Sequence, residues 1–335
     1  MNSNQNRKLA IKKLKLLIYN SKSDVNVFRS KIEEAFYTPF LPNHVECSEH
    51  NYGGVKCDVL APELYSSKRV MLYIHGGSFV GGSRRSWRGF CSMLANKTFS
   101  RVVVPEFRLA PAHAFPAAIE DIQNTFRALF TEEQIARSLD NSGRTDSELP
   151  EIILGADGSG ASIAMALLLN LRERYRKSIR KVIFFSPWLN LSETSYLKSN
   201  KKLADEVMSS DCLQKCGDVY TYSSNLSNYL ITPVNAAKEL IKGLPSFFIQ
   251  MGEKEILLED VKTFCNLLSE CDVPFTLDVW PNMVHLFQMA DEYLKEAHDA
   301  LDKVSAEVAN ISKKETERQC FENKPRLENG VKAEA

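Results

Sequence analysis

Short apolar runs and helix-like stretches alternate along most of this chain. The runs 69–74, 101–104, 151–154, 181–185, 246–250 and 275–279 are each four to six residues long and rich in Val, Ile, Leu and Phe. Between them, at 87–97, 116–130, 159–176, 257–271 and 290–310, apolar residues recur at helical spacing. Uninterrupted apolar strands that alternate with helices are covered on both faces, which predicts a mostly parallel sheet with helices on each side, a doubly wound α/β fold. Ligands meet such folds at the carboxyl ends of the strands, so the residues just after each run are the candidates for chemistry.

The ends of the chain and two interior stretches read differently. Leu9, Ile11, Leu14, Leu17 and Ile18 recur among lysines, predicting an amphipathic helix packed on the body by one face. Residues 131–149 are polar and charged and read as an exposed loop, 192–242 as an inserted cap over the strand ends, and 313–335 as a disordered tail. The expected organisation is an N-terminal helical or cap segment over 1–50, an α/β domain over 51–312 and the tail.

Composition narrows the function classes. The 335 residues include 42 basic and 42 acidic side chains and are 44% hydrophobic, which supports a large core and excludes a chain disordered throughout. A formal net charge of zero removes the electrostatic case for nucleic acid. Lys12, Lys13 and Lys15 interrupt any signal-peptide core, and no run approaches the roughly 18 apolar residues of a membrane span, so a cytoplasmic location is expected. Eight scattered cysteines fit free thiols better than a disulfide frame. Cys212 and Cys216 are the one close pair and have no second pair or His cluster nearby, so no metal site is expected.

The chemistry starts after the run 69–74, where the chain reads His75-Gly-Gly-Ser-Phe-Val-Gly-Gly-Ser83. Glycines directly after a buried strand leave backbone N–H groups free to point at a developing oxyanion, and Gly76 and Gly77 are the candidate donors. The glycines alone fit a tight turn with no chemistry equally well; His75 makes the pattern more specific. The stretch resembles the HGGG-type oxyanion loop of the hormone-sensitive-lipase-like branch of the α/β-hydrolases, with Ser78 where a third glycine is usual. Two further blocks agree, the stretch from Glu106 to Asp121 resembling the family's DYRLAPEHPFPA segment and Ser186-Pro-Trp-Leu-Asn-Leu191 its SPWLDL segment. The likeness runs over about residues 50 to 310 in the right order.

The resemblance implies an α/β-hydrolase fold with an inserted cap, hydrolysis of small carboxylic esters through an acyl-enzyme, and no cofactor. It also assigns roles. Glu255, in Gly252-Glu-Lys-Glu, stands where most relatives carry the orienting Asp, and His285, in Asn282-Met-Val-His, where they carry the general base. The nucleophile elbow is expected after the run 151–154, in Gly155-Ala-Asp-Gly-Ser-Gly-Ala. Aligning Asp157, Gly160 and Ala164 with the family's G-D-S-A-G-G-N-L-A puts Gly158 in the nucleophile position, with no side chain to attack a carbonyl. Two other registers remain open, with Ser159 or Asp157 as the nucleophile. In the first, Asp157 crowds a position that normally must be small; in the second, the HGGG-type loop is out of keeping with carboxylate-nucleophile relatives. The N–H of Ser159 would join the oxyanion donors in the glycine register. The chain is therefore read either as a carboxylesterase-type hydrolase or as a non-catalytic relative that binds an acyl ligand or a partner protein.

Overall fold

A computed structural model describes residues 3–20, 24–38, 40–42, 44–65, 69–140, 149–192 and 205–322. Its centre is an eight-stranded sheet in the order β1-β2-β4-β3-β5-β6-β7-β8. The strands are β1 Val45–Tyr52, β2 Val55–Pro62, β3 Arg69–Ile74, β4 Arg101–Pro105, β5 Glu151–Asp157, β6 Ile179–Phe185, β7 Ser246–Gly252 and β8 Phe275–Trp280. All neighbours from β4 to β8 pair in parallel, whereas β2 is antiparallel to both β1 and β4. The strands β3 and β5 are buried along their whole length, as their apolar sequences require. The six strands read from the apolar runs are β3 to β8.

The hairpin β1–β2 was not anticipated by the run pattern. The strand β1 lies at the sheet's edge with most of its residues off the core, so its sequence is polar. It begins at Val45, inside the stretch 1–50 expected to be helical.

Helices α1 Ser3–Leu14, α2 Val25–Phe36, α3 Arg84–Thr98, α4 Ala117–Asp140, α5 Gly160–Asn170, α6 Glu173–Lys177, α7 Ser210–Tyr220, α8 Lys238–Ile241, α9 Leu258–Glu270 and α10 Lys295–Glu322 accompany the sheet. The amphipathic reading of the N-terminus is met by α1, where Ala10 and Leu14 are buried and Lys8, Lys12 and the following Lys15 are exposed. The expected loop 131–149 is instead helical as far as Asp140, and 141–148 lie outside the described residues. Its polarity belongs to the outer turns of α4, where Glu133 is buried only because Arg101 binds both of its carboxylate oxygens. Likewise α10 runs to Glu322, ten residues into the expected tail, and 323–335 lie outside the described residues. Of the expected cap, 193–204 are not described, and the remainder contains α7 and α8. The seven cysteines with described side chains are unpaired. No described helix is long and apolar enough to cross a membrane.

Candidate active site

Four parallel strands deliver the candidate residues to one edge of the sheet: β3 runs into His75, β5 into Gly158, β7 into Glu255, and β8 into His285. The β5–α5 turn is the sharpest of these connections. Gly158 sits at φ +46, with its N–H donating to the Phe185 carbonyl at 3.1 Å and its carbonyl accepting from Trp188 at 2.9 Å and Ala161 at 3.2 Å. Left-handed backbone of this kind favours glycine. Two residues on, α5 passes so close to the end of β3 that a Cβ on Gly160 would lie 2.2 Å from the Ile74 carbonyl oxygen, so only glycine fits there.

His285 is 2% exposed and its Nδ1 is 3.1 Å from Glu255 Oε2. Glu255 is 1% exposed, and its other oxygen, Oε1, accepts from the Ser186 hydroxyl at 2.7 Å and from the backbone N–H of Gly252. With Nδ1–H donating to the carboxylate, Nε2 is left as the acceptor, and it has no hydrogen-bond partner among the described residues. A Cβ built on Gly158 would lie 3.8 Å from this Nε2, its nearest neighbour, with Leu286 Cδ1 next at 3.9 Å. Position 158 therefore faces the free imidazole nitrogen across ordinary van der Waals distance.

Ser159 Oγ instead accepts from the Phe79 N–H at 3.1 Å and makes no hydrogen bond to His285. Asp157 is fully buried, and its Oδ1 accepts from Tyr73 OH at 2.9 Å, Trp87 Nε1 at 2.8 Å and the Gly76 N–H at 3.1 Å. That carboxylate faces the body of the domain, among β3 and α3 side chains, which overturns the register making it the nucleophile. Burial pushes its pKa up to about 6, against the lowering effect of its three donors.

The loop after β3 corrects two expectations. The Gly76 N–H is spent on Asp157 and is not an oxyanion donor. His75, a candidate substrate-binding residue from the motif, does not line the cavity: it is buried between the Phe107 and Trp87 rings at 4.3 Å and 5.0 Å, with Nδ1 2.8 Å from the Gly76 carbonyl, and burial lowers its pKa to about 4. The backbone N–H groups of Gly77, Ser78 and Ser159 have no acceptor among the described residues, and these three residues line a cavity of about 10 Å³ with Gly158 and His285. Leu17, Ile18, Trp188, Met208 and Leu286 close it.

Two contributors were missed from sequence. Ser186, at φ +45, joins Glu255 to the loop bearing His285, because its Oγ also accepts the Leu286 N–H at 3.0 Å. Its signal was its place in the matched Ser186-Pro-Trp block. Ser78 pins the N-terminal strap, its Oγ accepting from Tyr19 N–H at 3.1 Å and donating to the Leu17 carbonyl at 3.2 Å. The departure from a third glycine thus holds Leu17 and Ile18 over the cavity. Ser78→Ala orphans two buried backbone groups, so it is expected to destabilise the protein by about 2 kcal/mol. Urea unfolding checks the loss, and hydrogen exchange should show the Tyr19 amide exchanging faster while α5 amides do not.

Comparison with known proteins agrees with this architecture. A family model described as alpha/beta hydrolase fold matches residues 71–289. An esterase of Acinetobacter venetianus is 29% identical over 248 residues, 72% of this chain and 74% of that one. An acetyl-hydrolase of Streptomyces hygroscopicus is 27% identical over 238 residues, 71% and 74% of the respective chains. A crystal structure of an esterase from the bacterial hormone-sensitive lipase family superposes with a TM-score of 0.78 at 24% identity, covering 93% of this chain and 99% of the other.

Proposed function

The chain belongs to the α/β-hydrolase fold family, and from that premise we propose that it binds small acyl esters at the dyad His285–Glu255 without forming an acyl-enzyme. One observation carries the reading: the position whose Cβ direction meets His285 Nε2 at 3.8 Å is occupied by glycine. His285 is the base, Glu255 the acid that orients it, and the N–H groups of Gly77, Ser78 and Ser159 the donors that receive the ester carbonyl oxygen. The names of the two curated relatives, an esterase and an acetyl-hydrolase, support acyl esters as the ligand class. Scattered and unpaired thiols support a cytoplasmic setting.

A serine-directed phosphonate tests the covalent half of this. Intact-mass spectra of the protein after prolonged incubation are expected to show no adduct, and an adduct on Ser159 would restore that residue as nucleophile. The binding half is tested by calorimetry with a non-hydrolysable acyl ester analogue. Saturable binding that weakens in Trp188→Ala is expected, because Trp188 is a wall of the cavity.

A further inference from the structure

We propose that Gly158 makes water the nucleophile, so that the site hydrolyses activated acyl esters directly, with His285 as general base on a water molecule held where a side chain at 158 would stand. This rests on the acyl-ester reading above and extends it from binding to turnover.

Three observations converge. First, a Cβ on Gly158 would meet no described atom beyond its own chain neighbours closer than 3.8 Å, so the glycine leaves a gap between the turn and Nε2. Second, the cavity there is about 10 Å³, close to the room one water needs. Third, a buried water needs two to four polar partners, and before an ester enters this cavity offers Nε2 as acceptor and, as donors, the N–H groups of Gly77, Ser78 and Ser159, which have no acceptor among the described residues; once the ester carbonyl oxygen takes those donors, the water stays on Nε2. Its remaining walls are mostly apolar, so nothing else competes for the water. An ester enters by moving aside the strap at Leu17 and Ile18, which Ser78 holds by two hydrogen bonds.

The step balances without any further reagent. The water oxygen attacks the ester carbonyl carbon as its proton passes to His285 Nε2, and the carbonyl π pair moves onto the oxygen held by the backbone N–H groups. Collapse re-forms the carbonyl and breaks the bond to the alcohol oxygen, which takes the proton back from Nε2. Acid and alcohol leave, and the imidazole is neutral again. Glycine is essential to this scheme. In triad hydrolases, losing the serine alone costs about as much as losing all three members, because a base with no positioned nucleophile has nothing to activate. A methyl at 158 would fill the gap and reproduce that state.

Stopped-flow hydrolysis of p-nitrophenyl acetate tests the proposal. The unmodified protein is expected to release nitrophenol linearly from the first turnover, with no burst and no inhibition by phosphonate. His285→Gln and Gly158→Ala are each expected to lower the rate about 10²-fold. Thermal melts establish that both variants fold; if the alanine is not tolerated at this backbone geometry, His285→Gln decides alone. A rate unchanged in folded His285→Gln, or no turnover above buffer in the unmodified protein, overturns the proposal. Calorimetry with the ester analogue separates the two readings: binding without His285-dependent turnover sinks this inference only, whereas no binding sinks the ligand assignment itself.

Discussion

Gly158→Ser is expected to install covalent catalysis, with a stoichiometric burst of nitrophenol and acylation at least about 10³-fold faster than ester turnover by the unmodified protein. The new Cβ would sit 3.8 Å from His285 Nε2, and a hydroxyl about 1.4 Å farther out can swing within hydrogen-bond reach of that nitrogen. His285 is already oriented, since Glu255 receives Nδ1 and is itself held by Ser186 and Gly252. The N–H groups that would stabilise the tetrahedral oxyanion have no acceptor among the described residues. The substitution should also cost stability. A residue with a Cβ at φ +46 loses about 1 kcal/mol relative to glycine, which lowers the melting temperature by about 1 to 2 °C in a chain of this size. Mass spectrometry of the quenched reaction should find the acyl group on the peptide containing residue 158. A folded variant that binds the ester analogue yet gives neither burst nor adduct would show that position 158 does not address the base.

The parts of this molecule legible in its letters are those set by local pattern. Six strands announced themselves as apolar runs, and the residues just beyond four of them, at 75–78, 157–159, 252–255 and 282–285, converge at one end of the sheet because those strands are parallel. The placement of Gly158 in the nucleophile position rested on the resemblance to the family's G-D-S-A-G-G-N-L-A segment, and in the fold the Cβ direction at 158 points toward His285 Nε2. What escaped depends on where a side chain finds its partner. The β1–β2 hairpin carries a Gly53-Gly54 turn signal, but β1 is an edge strand without an apolar face. The polar stretch after Thr131 continues α4 to Asp140, and its buried Glu133 finds its partner in Arg101, 32 residues away. Gly76 looked like an oxyanion donor until Asp157, 81 residues away, claimed its N–H. Ser78 looked like a mild departure in a motif, and only the fold reveals that its hydroxyl holds Leu17 and Tyr19.

Replacing either buried ionisable neighbour of the oxyanion loop is expected to unmask a pH dependence that the pair now hides. His75 is buried with its pKa lowered to about 4, against about 6.5 unfolded. The unfolded chain therefore binds more protons than the native one between these values, and stability falls as pH drops from 6.5 to 4, by about 3 kcal/mol. Asp157 is buried with its pKa raised to about 6, against about 3.9 unfolded. Here the native chain binds more protons, so stability rises over nearly the same descent by about 3 kcal/mol. The two contributions are opposite in sign and similar in size, so they largely offset each other. In His75→Phe, which keeps an aromatic ring between Phe107 and Trp87, only the aspartate contribution remains, and the variant should gain about 3 kcal/mol relative to the unmodified protein on going from pH 6.5 to pH 4.0. Asp157→Asn should lose about as much over the same interval. Urea unfolding at the two pH values gives both double differences, from which the titration of all other carboxylates cancels. Two values near zero would mean that these groups are not buried as a neutral imidazole and a largely desolvated carboxyl. Opposite signs would tie the Gly76 N–H, and with it the start of the oxyanion loop, to a carboxyl that takes up its proton near pH 6.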